Sequence, residues 1–290
     1  MGIGCQPRYV GPFEGQMTQM FEQVIPDRDH PQSVFPTVEV GHVRFAVAEP
    51  ENVVRWISTL ARSDHRGINV RFANAWNVAL ANDDPEYLKI MSDEGSVNFP
   101  DGSPVVWVMN FTRKSADRAH RLRGPSMFRA VLDDSARAPL RHFFLGSSPD
   151  TLRSLRSSVQ VQYPSARVVG HYSPPFATAD ESFIKECAER VAAAGPDLVW
   201  LGLGTPKQDY VGTAIAQRLQ IPVLNVGAAF DFVANTVREA PPFIQHSGFE
   251  WLYRLLCEPR RLGKRYLYGN LRFVVVVVAA LIRDRYRHRG

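Results

Sequence analysis

The chain has 290 residues, 45% hydrophobic and 22% charged, the composition of a soluble globular protein with enough chain for a sizeable core in one large domain or two small ones. Its three cysteines (Cys5, Cys187, Cys257) are far apart. That excludes a disulfide framework and any Cys/His metal spacing, and points to reduced thiols in a cytoplasmic protein. The net charge of +5 is unevenly spread: residues 251–290 carry ten Lys/Arg against two acids, a net of +8, while the other 250 residues carry 24 against 27, a net of −3.

Residues 1–36 show scattered Pro, Gly and Gln without a sustained period and read as a partly disordered extension. From Val38 the pattern changes. Strands are predicted at 43–48, 68–73, 96–99, 142–146, 166–170, 197–204 and 222–227. Helices are predicted at 50–62, 103–111, 125–136, 149–158, 180–194 and 206–219. This alternation predicts an α/β domain over 37–245, Rossmann-like, with a mostly parallel sheet flanked by helices.

Three predicted helix starts share one form. Ser103-Pro104, Ser148-Pro149 and Thr205-Pro206 each follow a strand and a glycine (Gly102, Gly146, Gly204). Ser or Thr suits the N-cap and Pro the first helical position. Thr205-Pro-Lys-Gln208 also reads as a capping box, with Gln208 reaching back to the cap's own N–H. In a parallel sheet such starts lie along the strands' C-terminal edge, where open α/β sheets bind ligands and helix N–H groups attract phosphate. Asp101, in Pro100-Asp101-Gly102, stands between a strand end and such a start. On its own it reads as a turn residue.

Beyond about residue 245 the alternation ends. The segment 246–290 reads as a basic helical appendage broken near Pro259, with Trp and Leu interleaved among Arg and Lys. Its most apolar run, Phe273 to Ile282, has ten residues, where a membrane-spanning helix needs roughly 20. It therefore reads as a buried helix or one lying at a membrane surface.

Four blocks in order carry a resemblance: "GLGTPKQD" closing a strand, "VGAAFDF", the pair in "REAPPF", and "EWLYRLLCEPRRLGKRY". They resemble the WecG/TagA/CpsF glycosyltransferases, glycosyltransferase family 26. "NFPDGSPVV" and "RLRGPSMF" fit the same pattern more loosely, so the resemblance covers about residues 38–270. It implies an inverting, metal-independent hexosyltransferase without a cofactor. Such an enzyme moves a sugar, of the N-acetylmannosamine type or a related hexose, from a UDP-sugar to a saccharide on polyprenyl diphosphate. The setting it implies is cell-surface polysaccharide synthesis at the cytoplasmic face of the plasma membrane, with the basic C-terminal segment on the membrane surface and no nucleic acid. It allows a homo-oligomer.

The resemblance also assigns roles. Asp101 becomes the general base that takes the acceptor hydroxyl's proton. Asn74, Gly102, Gly204, Thr205, Gln208 and Asp231 become donor-binding residues, with Gly202 and Lys207 in the same edge element. Arg254, Arg261 and Arg265 become candidates to hold the leaving diphosphate, for which a planar guanidinium is suited; pairing with Glu250 or Glu258 is their alternative. Many relatives carry Thr where this chain has Phe72, so either the donor contact differs here or another group takes that role. Asp209 stands where Glu is commoner.

Two other classes compete. A Rossmann-type dinucleotide enzyme predicts Gly-x-Gly-x-x-Gly after an early strand; "GLGTPKQD" lacks the third Gly and comes late. A membrane- or nucleic-acid-binding module without catalysis would use the basic tail. No helix-turn-helix or zinc pattern accompanies it, and basic residues mixed with aliphatic and aromatic ones suit a bilayer surface better.

Overall fold

A computed structural model describes residues 34–64, 67–112 and 118–287, without the side chains of His246, Arg261, Lys264 and 284–287. The 1–36 extension therefore falls almost wholly outside the described residues.

β1 (Thr37–Val40) and β2 (Val43–Ala46) form a small antiparallel hairpin. Gly41 makes its turn in the left-handed region, at φ 55°, which glycine enters without steric cost. The predicted strand at 43–48 thus pairs locally and stays outside the main sheet. The other six predicted strands are all present: β3 (Asn69–Ala73), β4 (Ser96–Pro100), β5 (Arg141–Gly146), β6 (Arg167–Tyr172), β7 (Leu198–Gly202) and β8 (Val223–Asn225). They form one parallel sheet in the order β4-β3-β8-β7-β5-β6.

The first helices are α1 (Pro50–Leu60), α2 (Ala75–Asp83), α3 (Pro85–Met91), α4 (Ser103–Thr112), α5 (Gly124–Asp134) and α6 (Pro149–Gln162). Then come α7 (Glu181–Ala194), α8 (Lys207–Leu219), α9 (Ala229–Val233), α10 (Pro242–Ser247), α11 (Glu250–Cys257) and α12 (Pro259–Arg287). All six predicted helices appear, while α2 and α3 had left no periodic signal. The reason for α2 is physical. Ala75, Asn77, Val78, Ala79 and Ala81 are all buried, so it is covered on more than one side and shows no single apolar stripe.

Both faces of the sheet are covered, as parallel sheets require. Phe72, Phe144, Trp200 and Leu224 face α1, α5, α6 and α9 in one core cluster. Phe143, Leu145, Val199, Leu201 and Val223 face α7 and α8 in another. On this second face the register sets Asn98, Arg71 and Asn225 side by side on β4, β3 and β8. All three are buried; Asn98 accepts from Arg71, and Arg71 and Asn225 meet α8, where Asp209 and Thr213 lie four residues apart on one side. Arg71 donates to Thr213 Oγ1 (2.6 Å) and Ser96 Oγ (2.7 Å), with Asp209 Oδ1 at 3.9 Å from its Nε. Asp209 also accepts from Tyr87 (2.7 Å) and Asn225 Nδ2 (3.0 Å).

The break at Pro259 separates α11 from α12. The inner face of α12 (Phe273, Val276, Val277) joins Val40, Val43, Phe45 and Val78 in a third cluster. Two further contacts fix it. Gly269 lies so close to Trp76 that an added Cβ would come within 2.6 Å of the ring, and Arg272 Nε donates to Asp83 (2.6 Å). α12 therefore shares a core with the α/β sheet region. The outer face of α12 leaves Leu267, Leu271, Val274, Val275, Val278 and Ile282 exposed. By length and composition alone, the 19 residues Arg265–Arg283 could cross a membrane, a longer apolar stretch than the run of ten suggested.

Candidate active site

The helix starts along the sheet's C-terminal edge converge, each in its own way. Ser148 caps α6 as predicted, accepting from Thr151 N (3.1 Å). At α4, Ser103 is already helical, and the Gly102 carbonyl accepts from Val105 and Val106 N–H (3.1 and 3.3 Å). At α8 the expected box closes one residue early. Gln208 Oε1 accepts from Gly204 N (3.1 Å), Gln208 N donates to Gly204 O (2.9 Å), and the helix begins at Lys207. Gly204 makes this possible by turning into the left-handed region, at φ 79°. Asn74 caps α2 by reciprocal bonds: Oδ1 accepts from Trp76 N, and its own N–H donates to Asn77 Oδ1, both 3.0 Å. The turns before α2 and α4 are pressed together, since a Cβ on Gly102 would lie 3.2 Å from Asn74 Cβ.

These turns line one cleft of about 360 Å³. Asn74, Asp101, Gly102, Gly204, Thr205, Gln208, Asp231, Arg254 and Arg265 all reach it, as does Gly202. Of the predicted site residues, Arg261 sits in α12 with its side chain outside the described residues. Lys207 turns elsewhere, donating to Ala177 O (2.6 Å) with its ammonium 3.8 Å from the Phe183 ring centroid. Asp209 is buried beneath the cleft in the Arg71 network. Asp231 lies within α9 and accepts from Ser147 Oγ (3.5 Å).

Asp101 does not behave as a turn carboxylate. Its backbone N–H donates to Ala73 O (2.8 Å), yet its Oδ1 is buried and accepts no hydrogen bond among the described residues. Burial raises its pKa above the ordinary carboxylate range; Arg121 and Arg123 oppose this, Glu250 adds to it, and Arg254 opposes it. The result is a carboxyl group with raised proton affinity on a residue that lines the cleft. Both properties suit a base.

One wall is cationic. Arg123 and Arg254 lie 5.6 and 5.3 Å from the Phe232 ring centroid. Glu250 is buried and, among the described residues, pairs with Arg121 and Arg123. Arg254 lines the cleft, and its buried Nε has no hydrogen-bond acceptor among the described residues. Phe72 is packed under the site, stacked on Phe99 at 6.1 Å and 24°, so that position offers an apolar wall and no hydroxyl. Trp76, Trp251 and Tyr266 line the cleft as well.

Sequence reasoning missed Arg121 and Arg123 as site residues. Their segment, "RLRGPSMF", was visible only as a loose match. Gly146 was singled out for its place before a cap, and the structure supplies a firmer reason. Its φ is 112°, and an added Cβ would lie 2.6 Å from Gly202 O. Gly146→Ala is therefore expected to cost about 1–3 kcal/mol from backbone strain alone, read as a lower urea midpoint. Wild-type stability in that variant would contradict the packing of β5 on β7 described here. Next to it, Ser147 holds φ 61° while donating its N–H to Gly202 O (3.0 Å). A non-glycine residue in that conformation beside a cleft is typical of functional edges.

Among the described residues, no group of three His, Cys, Asp or Glu side chains is placed to hold a metal ion. Cys187 is buried and Cys257 exposed, both free.

Known proteins resemble this chain. It is 26% identical over 229 residues to the N-acetylglucosaminyldiphosphoundecaprenol N-acetyl-beta-D-mannosaminyltransferase of Bacillus spizizenii, covering 78% of this chain and 85% of that protein. It is also 26% identical over 179 residues to the protein of the same name from Bacillus subtilis, covering 61% of this chain and 67% of the relative. The model of the glycosyl transferase WecG/TagA/CpsF family matches residues 38–287. That match takes in the sheet-edge turns, the Asp101 turn and the helices that bring Arg254 and Arg265 to the cleft, and the chain belongs to the WecG/TagA/CpsF family of glycosyltransferases.

Proposed function

We propose that this enzyme transfers a hexosyl group of the N-acetylmannosamine type from a UDP-sugar to a saccharide carried on polyprenyl diphosphate, with inversion at the anomeric carbon. The observation that carries the reading is the joint placement of Asp101 and Arg254 in one cleft, beneath the starts of α2, α4 and α8. The names of the two Bacillus relatives support the sugar and the carrier.

The chemistry then divides among this chain's own groups. Asp101 accepts the proton of an acceptor hydroxyl as that oxygen bonds to the anomeric carbon. On the opposite side the bond to the UDP oxygen breaks, and the diphosphate leaves with the electron pair. Arg254 and the helix N-termini offset the charge that develops there. Gly204 and Gly102 have no side chain to obstruct close approach of a phosphate to the backbone. The exposed apolar face of α12, flanked by arginines, supports a peripheral position at the cytoplasmic face of the plasma membrane.

A screen of UDP-sugars with a short-chain prenyl-diphosphate N-acetylglucosamine acceptor tests the reading. UDP release and a disaccharide product are expected with UDP-N-acetylmannosamine. A screen with no acceptor-dependent UDP release from any donor would overturn it.

A further inference from the structure

We propose that Arg121 and Glu250 form a latch that makes the Asp101 turn and the docked C-terminal helices a single unit, with Glu250 a positioning residue that holds the arginines beside the base and offsets their charge. The proposal rests on the transferase reading for its effect on rate, but its structural content does not depend on that reading.

Arg121 spends all three guanidinium nitrogens on three separate segments. Nε donates to the backbone carbonyl of Asp101 (2.5 Å), Nη1 to the carbonyl of Gln245 in α10 (2.7 Å), and Nη2 to Glu250 Oε2 in α11 (2.6 Å). A planar fork with fixed donor directions fixes the relative placement of its acceptors. Arg121 therefore ties the turn carrying Asp101 to two C-terminal helices. A lysine, with one nitrogen, would not span these acceptors.

Glu250 holds the other side. It accepts from Arg123 Nε (3.0 and 3.1 Å) and Nη2 (2.6 Å) as well as from Arg121. Arg123 is anchored in turn by Glu239, which also accepts from Arg129 Nη2 (2.6 Å). Burial pushes the Glu250 pKa up, but the hydrogen bonds and charge of Arg123, then of Arg121, outweigh it and hold it below the usual range. It stays ionised, so a fixed negative charge sits between two guanidinium groups on the wall beside Asp101. The charged groups that act on Asp101 are Arg121, Arg123, Glu250 and Arg254. Glu250 is the only anion of the four, and it comes from the C-terminal side.

Two consequences follow for Glu250→Gln, which keeps the shape and loses the charge. The latch opens, so amide exchange should rise by about tenfold or more in two segments together, α10–α11 and the turn 100–106, whose Asp101 N–H bonds to Ala73 O. With the counter-charge gone, Asp101 feels its arginines uncompensated and binds its proton less tightly. The acid limb of the kcat/KM profile then moves to lower pH, and kcat falls by about 10²-fold through misplacement of the base. Glu250→Asp keeps the charge and should keep the limb.

Hydrogen exchange on the full-length protein decides the latch without reference to turnover. Arg121→Lys serves as a second variant if Glu250→Gln does not fold, and it should loosen the same two segments together. Faster exchange in α10–α11 with wild-type protection of the Asp101 turn would overturn the latch whatever the reaction. A wild-type protein inactive on every UDP-sugar would overturn the proposed function and leave the exchange result to stand or fall by itself. An active Glu250→Gln enzyme with an unshifted acid limb would overturn the electrostatic half.

Discussion

Asp101→Asn is expected to lower kcat by about 10²–10⁴-fold, the usual contribution of a positioned general base, while UDP still binds and protects the protein thermally. The amide keeps the size of the carboxylate and cannot take a proton, so the loss belongs to chemistry and not to shape. A second readout sharpens the test. The raised pKa of Asp101 means that its charged form is disfavoured in the folded state. The sign follows from linkage: a carboxyl group with a raised folded pKa contributes stability below its unfolded pKa and loses it as pH rises through the folded pKa. Removing the charge should therefore leave the variant at least as stable as wild type at pH 7–8, with the difference shrinking as pH falls toward 4. Asp101→Asn with wild-type turnover would end the assignment of the base. A large loss of stability at neutral pH would show that the carboxylate holds the turn together.

The sequence made the sheet legible because each strand is a short apolar run bounded by turn residues, and in a parallel sheet that pattern survives burial on both faces. It made the cleft legible because the glycine-bearing edges are punctuation marks with fixed chemistry. What it hid was hidden for physical reasons. In "INVRFA", Ile68, Val70 and Phe72 alternate with Asn69 and Arg71, the pattern of a strand with one wet face. Both faces are buried, because α8 presents Asp209 and Thr213 to the polar side. That match lies 140 residues away in sequence for the Asn69–Asp209 bond, and no local pattern reveals it. Arg121 and Arg123 were obscure for a similar reason: their partners Gln245 and Glu250 lie in helices that the chain adds last.

Arg71→Met is expected to cost about 3–5 kcal/mol, the effect of removing one partner from a buried ion pair. Asp209 would then be left among Tyr87, Asn225 and Asn77 without its buried ion-pair partner, with only the weaker pull of Arg265 on its charge. In the intact protein burial lowers the pKa of Arg71 and raises that of Asp209, with each partner only partly restoring the other. Both shifts disfavour the charged form. Without Arg71 the Asp209 pKa rises further, and by the same linkage sign the variant should lose stability as pH rises through that value. Urea unfolding at pH 5 and pH 8 measures both effects. The double variant Arg71→Met/Asp209→Leu should recover part of the loss, giving a coupling of about 0.5–3 kcal/mol; strictly additive losses would show that the two charges do not act as a pair. The location of the network suggests what it secures. Asn77, which closes the cap at Asn74, lies 3.5 Å from Asp209 Oδ2, and Asn225 donates to the Gln208 carbonyl at 3.2 Å. Loosening the buried charges thus reaches two of the turns that line the cleft, and a folded double variant should have a lower kcat than wild type.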